Sequence, residues 1–353
     1  MAQDRVDEPA LAEMAPPASE AQLEEALSRP TPGVIESLAE LDGDMLVLGA
    51  GGKMGLSLAS MATRALQAAG SARRVIAVSR FGDGTDPFEQ AGIETISADL
   101  LADGALDALP DAPNVLYLAG MKFGSSGAQP ATWAMNAHLP GLVAARYAGS
   151  RIVALSTGNV YPFSRVDGSG SVETEEPDPV GEYAITCLGR ERMLAYYSER
   201  DGTPVTIVRL NYANALRYGV LVDIAQKVAA GEPADVTMGA VNVIWQGDAN
   251  AAILRSFGIC SSPPTILNVA GPEVLRVRWV AQRLADLLGV DGPNIVGSEA
   301  ETALLSDSSE MVRRFGHPQM STEQLLAWTA AWLRAGGRLL GKPTKFQVRD
   351  GRF

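Results

Sequence analysis

The stretch MLVLGAGGKMG, residues 45–55, decides the fold of this chain. It begins with four apolar residues, typical of a short buried strand, and continues into glycines at positions 49, 52 and 55. Gly49 permits a sharp turn, Gly52 lets the backbone approach a pyrophosphate, and Gly55 allows close packing of a helix on the strand. A helix-like segment, 55–69, follows, and the N-terminus of such a helix attracts phosphate. The stretch therefore predicts a dinucleotide-binding unit, with a tight turn that binds no ligand as the alternative.

Similar apolar runs recur along the chain and alternate with helix-like segments. The runs are 75–79, 94–97, 114–120, 151–156, 206–210 and 265–270. Because their apolar residues do not alternate with polar ones, they indicate parallel strands that are covered on both faces. The predicted fold class is α/β, a Rossmann-type doubly wound parallel sheet with a smaller C-terminal α/β substrate lobe. The predicted parts are a disordered tail (1–20), a helical extension (21–44), a Rossmann domain (45–210) and a mainly substrate-binding lobe (211–353), with late strands returning to the sheet.

Composition narrows the classes of function. The chain has 353 residues, with 41 Asp+Glu against 29 Lys+Arg and a formal charge of −12. This acidic balance argues against a nucleic-acid partner, and the absence of an apolar run of membrane-spanning length argues against a membrane one. The two cysteines and two histidines are too few and too scattered for a metal site or a disulfide framework. With no secretory signal, a cytoplasmic location is expected.

The ends of the second and third strands predict further cofactor contacts. Ser79-Arg80 stands where NAD-selective sites place an acid, and a hydroxyl with a guanidinium suits a ribose phosphate. The pair favours NADP over NAD; the alternative is that Arg80 is a solvated arginine at the start of a loop. After the third strand, Asp99-Leu100 is placed to hold an adenine edge. The predicted cofactor contacts in these regions are Gly49, Gly51, Gly52, Lys53, Met54, Gly55, Ser79, Arg80, Asp99 and Leu100.

Six segments in order extend the pattern: GAGGKMG, SADL, LAGMK, STGNVY, EYAITCLGRE and LNVAGPEVL. Together, from about Met45 to Leu333, they resemble the extended short-chain dehydrogenase/reductase family, the NAD(P)-dependent sugar epimerases and dehydratases. The segment LAGMK is similar to the one in UDP-galactose epimerases, which implies that Lys122 lies near the cofactor. The resemblance also places Leu118, Ala119 and Gly120 beside it.

The resemblance implies that Tyr183 is the proton acceptor, next to the cofactor, and that Thr157 anchors a substrate oxygen. The family places a lysine four residues after the tyrosine, on the same helix face, where its charge lowers the pKa of the phenol. This chain has Cys187 there. A small packed cysteine is favoured over a nucleophile, and Arg190 or Lys122 could supply the missing charge. Gly158-Asn159 lacks the Asp-Glu pair of the dehydratases, which disfavours dehydration.

The same resemblance suggests where a substrate would bind. The predicted substrate contacts are Thr157, Asn159, Arg209, Asn211, Tyr212 and Arg217; Tyr212 stands where the family has an asparagine. The expected function is that of an NAD(P)-dependent epimerase or oxidoreductase, acting by hydride transfer on a sugar, sugar acid or sugar derivative. The alternative is a non-catalytic NAD(P)-binding protein that senses redox state. A homodimer through the helices around 136–148 and 183–199 is also expected from the family.

Overall fold

The computed structural model describes residues 14–82, 84–122, 124 and 127–352. Seven strands form the central sheet: β1 (Met45–Leu48), β2 (Val75–Ser79), β3 (Glu94–Ser97), β4 (Asn114–Tyr117), β5 (Arg151–Thr157), β7 (Val205–Leu210) and β12 (Thr265–Val269). The remaining strands have two residues each: β6 (Ser164–Arg165), β8 (Ala213–Asn214), β9 (Ala234–Asp235), β10 (Ala240–Val241), β11 (Ile244–Trp245), β13 (Leu275–Arg276), β14 (Ile295–Val296) and β15 (Thr302–Ala303). The short strands pair two by two outside the central sheet.

The helices alternate with these strands along the chain. They are α1 (Glu20–Leu27), α2 (Pro32–Ala39), α3 (Gly55–Ala68), α4 (Asp86–Gln90), α5 (Gln129–Trp133), α6 (Leu139–Arg146), α7 (Glu182–Asp201), α8 (Val220–Ala230), α9 (Gln246–Arg255), α10 (Val277–Leu288), α11 (Ser309–Phe315) and α12 (Thr322–Arg334). A π-helical turn, Ala134–His138, joins α5 to α6. The 20-residue α7 begins after Gly181 and ends at Gly202, and both glycines have positive φ angles.

The central sheet is entirely parallel, in the order β3-β2-β1-β4-β5-β7-β12. Strand order reverses between β1 and β4, and ligands of doubly wound sheets bind in the crevice at such a switch point. β1 and β4 are buried along their whole length, which explains their largely apolar sequences. The doubly wound Rossmann-type prediction is confirmed.

Helices cover both faces of the sheet. One face packs against α2, α3 and α9 through a core that includes Leu38, Leu58 and Ile253. The other packs against α6 and α7 through residues such as Val143 and Leu194. Burial of apolar side chains on two faces stabilises the sheet and leaves the carboxyl ends of its strands available for a site.

A third core lies in the C-terminal half of the chain. It joins α8, α10 and α12, and the N-terminal helix α1 adds Leu23 and Leu27 to it. The predicted domain boundaries stay a prediction, and residues 1–13 of the predicted tail lie outside the described residues. Among the helices that the structure describes, none has the length and apolar character needed to cross a membrane.

Candidate active site

The loop after β1 is shaped by glycines that leave no room for side chains. Gly49 has a φ of +87°, and a Cβ there would lie 2.6 Å from the Ala119 nitrogen. A Cβ on Gly55 would lie 1.9 Å from the Ala50 carbonyl oxygen. Gly52 differs, because a Cβ there would lie 3.5 Å from its nearest neighbour, the Gly49 carbonyl oxygen, and the residue is exposed to solvent. The loop therefore holds a fixed turn with one open backbone position, directly before the N-terminus of the 14-residue α3.

A cavity extends from this loop across the carboxyl ends of β4, β5 and β7. Thirteen of the predicted site residues line it: Gly49, Gly52, Lys53, Met54, Gly55, Leu118, Gly120, Lys122, Thr157, Asn159, Tyr183, Asn211 and Tyr212. The rest lie off its wall: Gly51, Ser79, Arg80, Asp99, Leu100, Ala119, Arg209 and Arg217. Ser79 still adjoins the glycine loop, since a Cβ on Gly51 would be 2.5 Å from its Oγ. Arg80 and Asp99 are both exposed, and Leu100 is buried at the same edge of the sheet.

Tyr183 and Thr157 come together in this cavity, although 26 positions separate them in the sequence. Both side chains line its wall. Thr157 also donates to Asn159 Oδ1 at 3.0 Å, and its Oγ1 accepts from the Asn159 amide at 3.2 Å. Burial raises the pKa of the Tyr183 phenol, and Cys187 adds to the rise, whereas Arg190 and the Thr157 hydrogen bond lower that pKa.

Cys187 is fully buried one helical turn beyond Tyr183. It packs with Val160 and Tyr161, and Tyr183 covers the same small cluster. Burial raises the pKa of its thiol, which keeps the sulfur protonated. This environment suits the packed cysteine that the sequence favoured, because a nucleophilic cysteine needs a lowered pKa and access to its target.

Two cations stand near the Tyr183 ring. Lys122 Nζ lies 5.6 Å from its centroid, from the segment that follows β4. Arg190, two turns along α7 from Tyr183, is 5% exposed and donates to the Leu155 carbonyl and, at 3.2 Å, to Asn136 Oδ1. Both cations line the cavity. The positive charge that Cys187 cannot supply is therefore present from two other positions.

Arg209 and Arg217 are engaged elsewhere in the fold. Arg209 forms an ion pair with Glu191 at 2.7 Å, and both side chains are less than 5% exposed. Arg217 pairs with Glu20 and Glu24 of α1. The structure therefore does not bring these two arginines to the cavity, and both serve contacts between elements.

The segment after β7 brings both Asn211 and Tyr212 to the cavity. β7 ends at Leu210, so the alternation of side chains between the two faces of a strand does not extend to Asn211 and Tyr212. Tyr212 has a φ of +44°, a conformation that asparagine adopts far more readily than tyrosine. Asn211 donates to Asn242 Oδ1 at 2.8 Å, so its amide is held in place.

The residues at or beside the cavity that were not anticipated from the sequence include three polar ones. Asn136, in the π-helical turn, accepts from the Met121 amide and from Arg190 and donates to Thr186 Oγ1. Gln246 lines the cavity and donates to Ser57 at 2.9 Å. Thr344, from the C-terminal segment, also lines the cavity. A buried asparagine in an apolar helix is a detectable signal for Asn136, but an irregular tail gives none for Thr344.

A comparison with known protein families identifies the family to which this architecture belongs. The model of the NAD dependent epimerase/dehydratase family matches residues 45–237, more than half of the chain. The chain belongs to this family. The match contains the glycine loop, Thr157 and Tyr183, so the resemblance noted in the sequence is confirmed. A comparison with curated protein sequences finds no significant match.

Solved structures of the family share the fold. UDP-glucose 4-epimerase from Thermotoga maritima superposes with a TM-score of 0.69 at 17% identity, over 83% of this chain and 99% of that one. UDP-glucuronic acid 4-epimerase from Bacillus cereus gives 0.68 at 16% identity, over 82% and 98%. DesIV, a dTDP-glucose 4,6-dehydratase from Streptomyces venezuelae, gives 0.68 at 20% identity, over 82% and 97%. At these identities the likeness establishes the fold alone.

Proposed function

We propose that the protein is an NAD(P)-dependent epimerase or oxidoreductase that acts on a sugar, a sugar acid or a sugar derivative. The observation that carries the proposal is that Tyr183 and Thr157 line one cavity, which begins at the glycine loop. Family membership supports it. The solved relatives with bound UDP-glucose or NAD support the same class of ligands for this cavity.

The glycine loop fits a dinucleotide. Gly52 presents open backbone beside the N-terminus of α3, and such an arrangement binds pyrophosphate. Residues 49–55 would hold the diphosphate, residues 118–122 would border the nicotinamide end, and Asp99 and Leu100 would lie at the adenine end. The hydroxyl of Ser79 and the exposed guanidinium of Arg80 favour NADP over NAD.

The chemistry follows from the positions of the side chains. The cofactor, when bound, supplies a hydride acceptor and donor. Tyr183 takes the proton of a substrate hydroxyl, and Thr157 positions the same oxygen by a hydrogen bond. The charge of Arg190 opposes the burial that raises the pKa of the phenol, and Lys122 Nζ, 5.6 Å from the ring centroid, is a second cation that could act on it. Asn159, Asn211 and Tyr212 line the same cavity and would orient the substrate; Arg209 and Arg217 are held in ion pairs outside it.

Tyr183→Phe tests the proposal, because it removes the proton acceptor and keeps the ring. We expect turnover on a panel of sugars, sugar acids and sugar nucleotides to fall about a hundredfold or more, while calorimetry shows unchanged cofactor affinity. Val180→Ala, in the exposed segment before α7, is the control that should leave both quantities unchanged. Absence of heat with NAD and NADP would overturn the proposal.

A non-catalytic redox sensor is the second candidate, favoured by one observation. The pKa of Tyr183 is raised by burial and by Cys187, where the family uses a lysine to lower it. A sensor would bind the cofactor tightly and turn over no member of the substrate panel. Affinities that differ between the oxidised and reduced cofactor would then identify the redox state as its signal.

We also propose a homodimer through the helices that surround residues 136–148 and 183–199. Four large apolar side chains on or beside these helices are at least 39% exposed: Trp133, Leu142, Ile185 and Tyr196. Such a concentration of exposed apolar surface marks an interface. A monomeric mass in light scattering at micromolar concentration would exclude it. The cytoplasmic location stays a prediction.

A further inference from the structure

The C-terminal strap, residues 340–351, contributes Thr344 to the cavity wall and lies outside the part of the chain that the family model matches. At one end the Leu340 amide donates to the Arg217 carbonyl at 3.0 Å. At the other end Gly351 packs on Gly181, directly before α7; a Cβ on Gly181 would be 2.6 Å from the Gly351 carbonyl oxygen. The strap therefore runs from the C-terminal lobe to the N-terminus of the helix that carries Tyr183.

Side chains fix the strap between these ends. The Thr344 amide and hydroxyl both donate to Asp223 Oδ2, at 2.7 and 2.5 Å. Phe346 is 7% exposed and belongs to the C-terminal core. Arg349 donates to the Thr302 carbonyl and hydroxyl, each at 2.7 Å. Thr344 lines the cavity, so the strap forms part of its wall.

The lysines of the chain are distributed unevenly. There are five, Lys53, Lys122, Lys227, Lys342 and Lys345. We call all of them except Lys227 the cavity lysines: Lys53 and Lys122 line the cavity, and the other two flank Thr344 on the strap. Lys53 Nζ lies 3.5 Å from the centroid of the Tyr218 ring, so this side chain extends from the glycine loop to the segment before α8.

Two of the cavity lysines, Lys53 and Lys122, experience repulsion from the positive charges of other cavity lysines. Burial lowers the pKa of Lys53 to about 7, and Lys122 and Lys342 contribute to that decrease. Burial lowers the pKa of Lys122 to about 8, and Lys345 contributes. Asp223 is the carboxylate that faces this group, and it is already bonded to Thr344. A concentration of positive charge on a chain of net charge −12 calls for an anionic ligand.

We propose that the strap completes an anion-binding site, in which the cavity lysines together bind a ligand with two or more negative charges, such as a diphosphate. This inference rests on the proposed function only for its choice of cavity. The charge could belong to the cofactor or to a substrate, and the chemistry that the lysines recognise is the same in both. The strap lysines are the part of this site that the family model does not contain.

Titration of the full-length protein with inorganic pyrophosphate tests the site. The double variant Lys342→Gln, Lys345→Gln should bind pyrophosphate about tenfold more weakly than the unaltered protein, or weaker still. Its affinity should also depend less on salt, because fewer charges attract the ion. Arg334→Gln, which removes one exposed charge at the end of α12, is the matched control and should bind normally.

Several results would overturn the inference: no pyrophosphate binding to the unaltered protein, equal affinity in the double variant, or an equal loss in Arg334→Gln. If the double variant unfolds at a lower temperature, Lys342→Arg with Lys345→Arg must retain pyrophosphate affinity, and a loss there also contradicts the site. Pyrophosphate binding that saturating NAD abolishes assigns the charge to the cofactor, and binding that persists assigns it to a substrate.

The failure of this site is distinguishable from failure of the proposed function. If the protein binds NAD and turns over substrate, and neither property depends on the strap lysines, only the inference of an anion site is wrong. If pyrophosphate binding depends on the strap lysines but calorimetry shows no heat with NAD or NADP, only the proposed dehydrogenase chemistry is wrong.

Discussion

The two walls of the cavity are built in different ways. The wall at which we propose that the cofactor binds, residues 49–55 and 118–120, is named the cofactor wall. It is made by backbone whose glycines, Gly52 excepted, leave no space for a Cβ. The side-chain wall consists of Thr157, Tyr183, Arg190, Tyr212 and Thr344, and a buried ion pair between Glu191 and Arg209 lies behind it. The first wall depends on shape and the second on charges and hydrogen bonds, so substitutions should affect them differently.

The largest effect is expected where the shape of the cofactor wall is broken. Gly55→Ala would drive a methyl group to 1.9 Å from the Ala50 carbonyl, and we expect a loss of stability on the order of 3 kcal/mol or more. Gly52→Ala meets nothing closer than 3.5 Å, so it should keep its stability and lose cofactor affinity instead. Urea unfolding and calorimetry separate the two effects. If Gly55→Ala is as stable as the unaltered protein, the backbone around Ala50 can move to accommodate the added methyl group.

The side-chain wall should lose stability when a charge is removed from the buried ion pair behind it. Glu191→Gln leaves Arg209 buried without its counter-charge, which costs about 3–5 kcal/mol. Glu323→Gln breaks an exposed pair with Arg283 and should cost less than about 1 kcal/mol. Urea unfolding of both variants measures the difference. Equal losses would mean that the buried pair contributes no more than a solvated one.

The cofactor wall could be predicted from the sequence because its physical requirement is local. Glycines at 49, 52 and 55, between a buried strand and a helix, are typical of a dinucleotide-binding turn. The structure places Gly49 and Gly52 in that turn and Gly55 at the first residue of α3. Tyr183 and Thr157 could also be predicted to share one site, because they follow patterns of short range, and both line the cavity. They come together only when α7 packs beside β5.

The side-chain wall could not be predicted in the same way, because its partners are distant in sequence. Arg209 was expected at a substrate, but it pairs with Glu191, which the intervening fold brings to 2.7 Å. Arg217 forms ion pairs with Glu20 and Glu24 of α1, which lie nearly two hundred residues earlier in the sequence. Thr344 reaches the cavity only because Asp223 binds the strap. No local pattern encodes such pairings.

A smaller effect tests whether a charge from outside α7 serves Tyr183. Lys122→Gln removes a cation 5.6 Å from the phenol ring, so the pKa of Tyr183 should rise and the acidic limb of the activity profile should move about one pH unit higher. Lys122→Arg keeps the charge and should keep the profile. The pH dependence of kcat/KM measures this shift. An unchanged profile in Lys122→Gln would leave Arg190 as the only nearby cation that acts on the phenol among the described residues.

The smallest effect is expected at the exposed edge of the cofactor wall. Arg80→Ala removes a guanidinium from the end of β2, where a ribose phosphate would gain a charge-assisted hydrogen bond. Because the site is exposed to solvent and to salt, the loss should be about 1 kcal/mol, roughly a fivefold weaker affinity for NADP. NAD lacks that phosphate and serves as the internal control, so its affinity should not change. Equal weakening of both cofactors in calorimetry would mean that Arg80 supports the loop rather than the phosphate, and the preference for NADP would then have no basis.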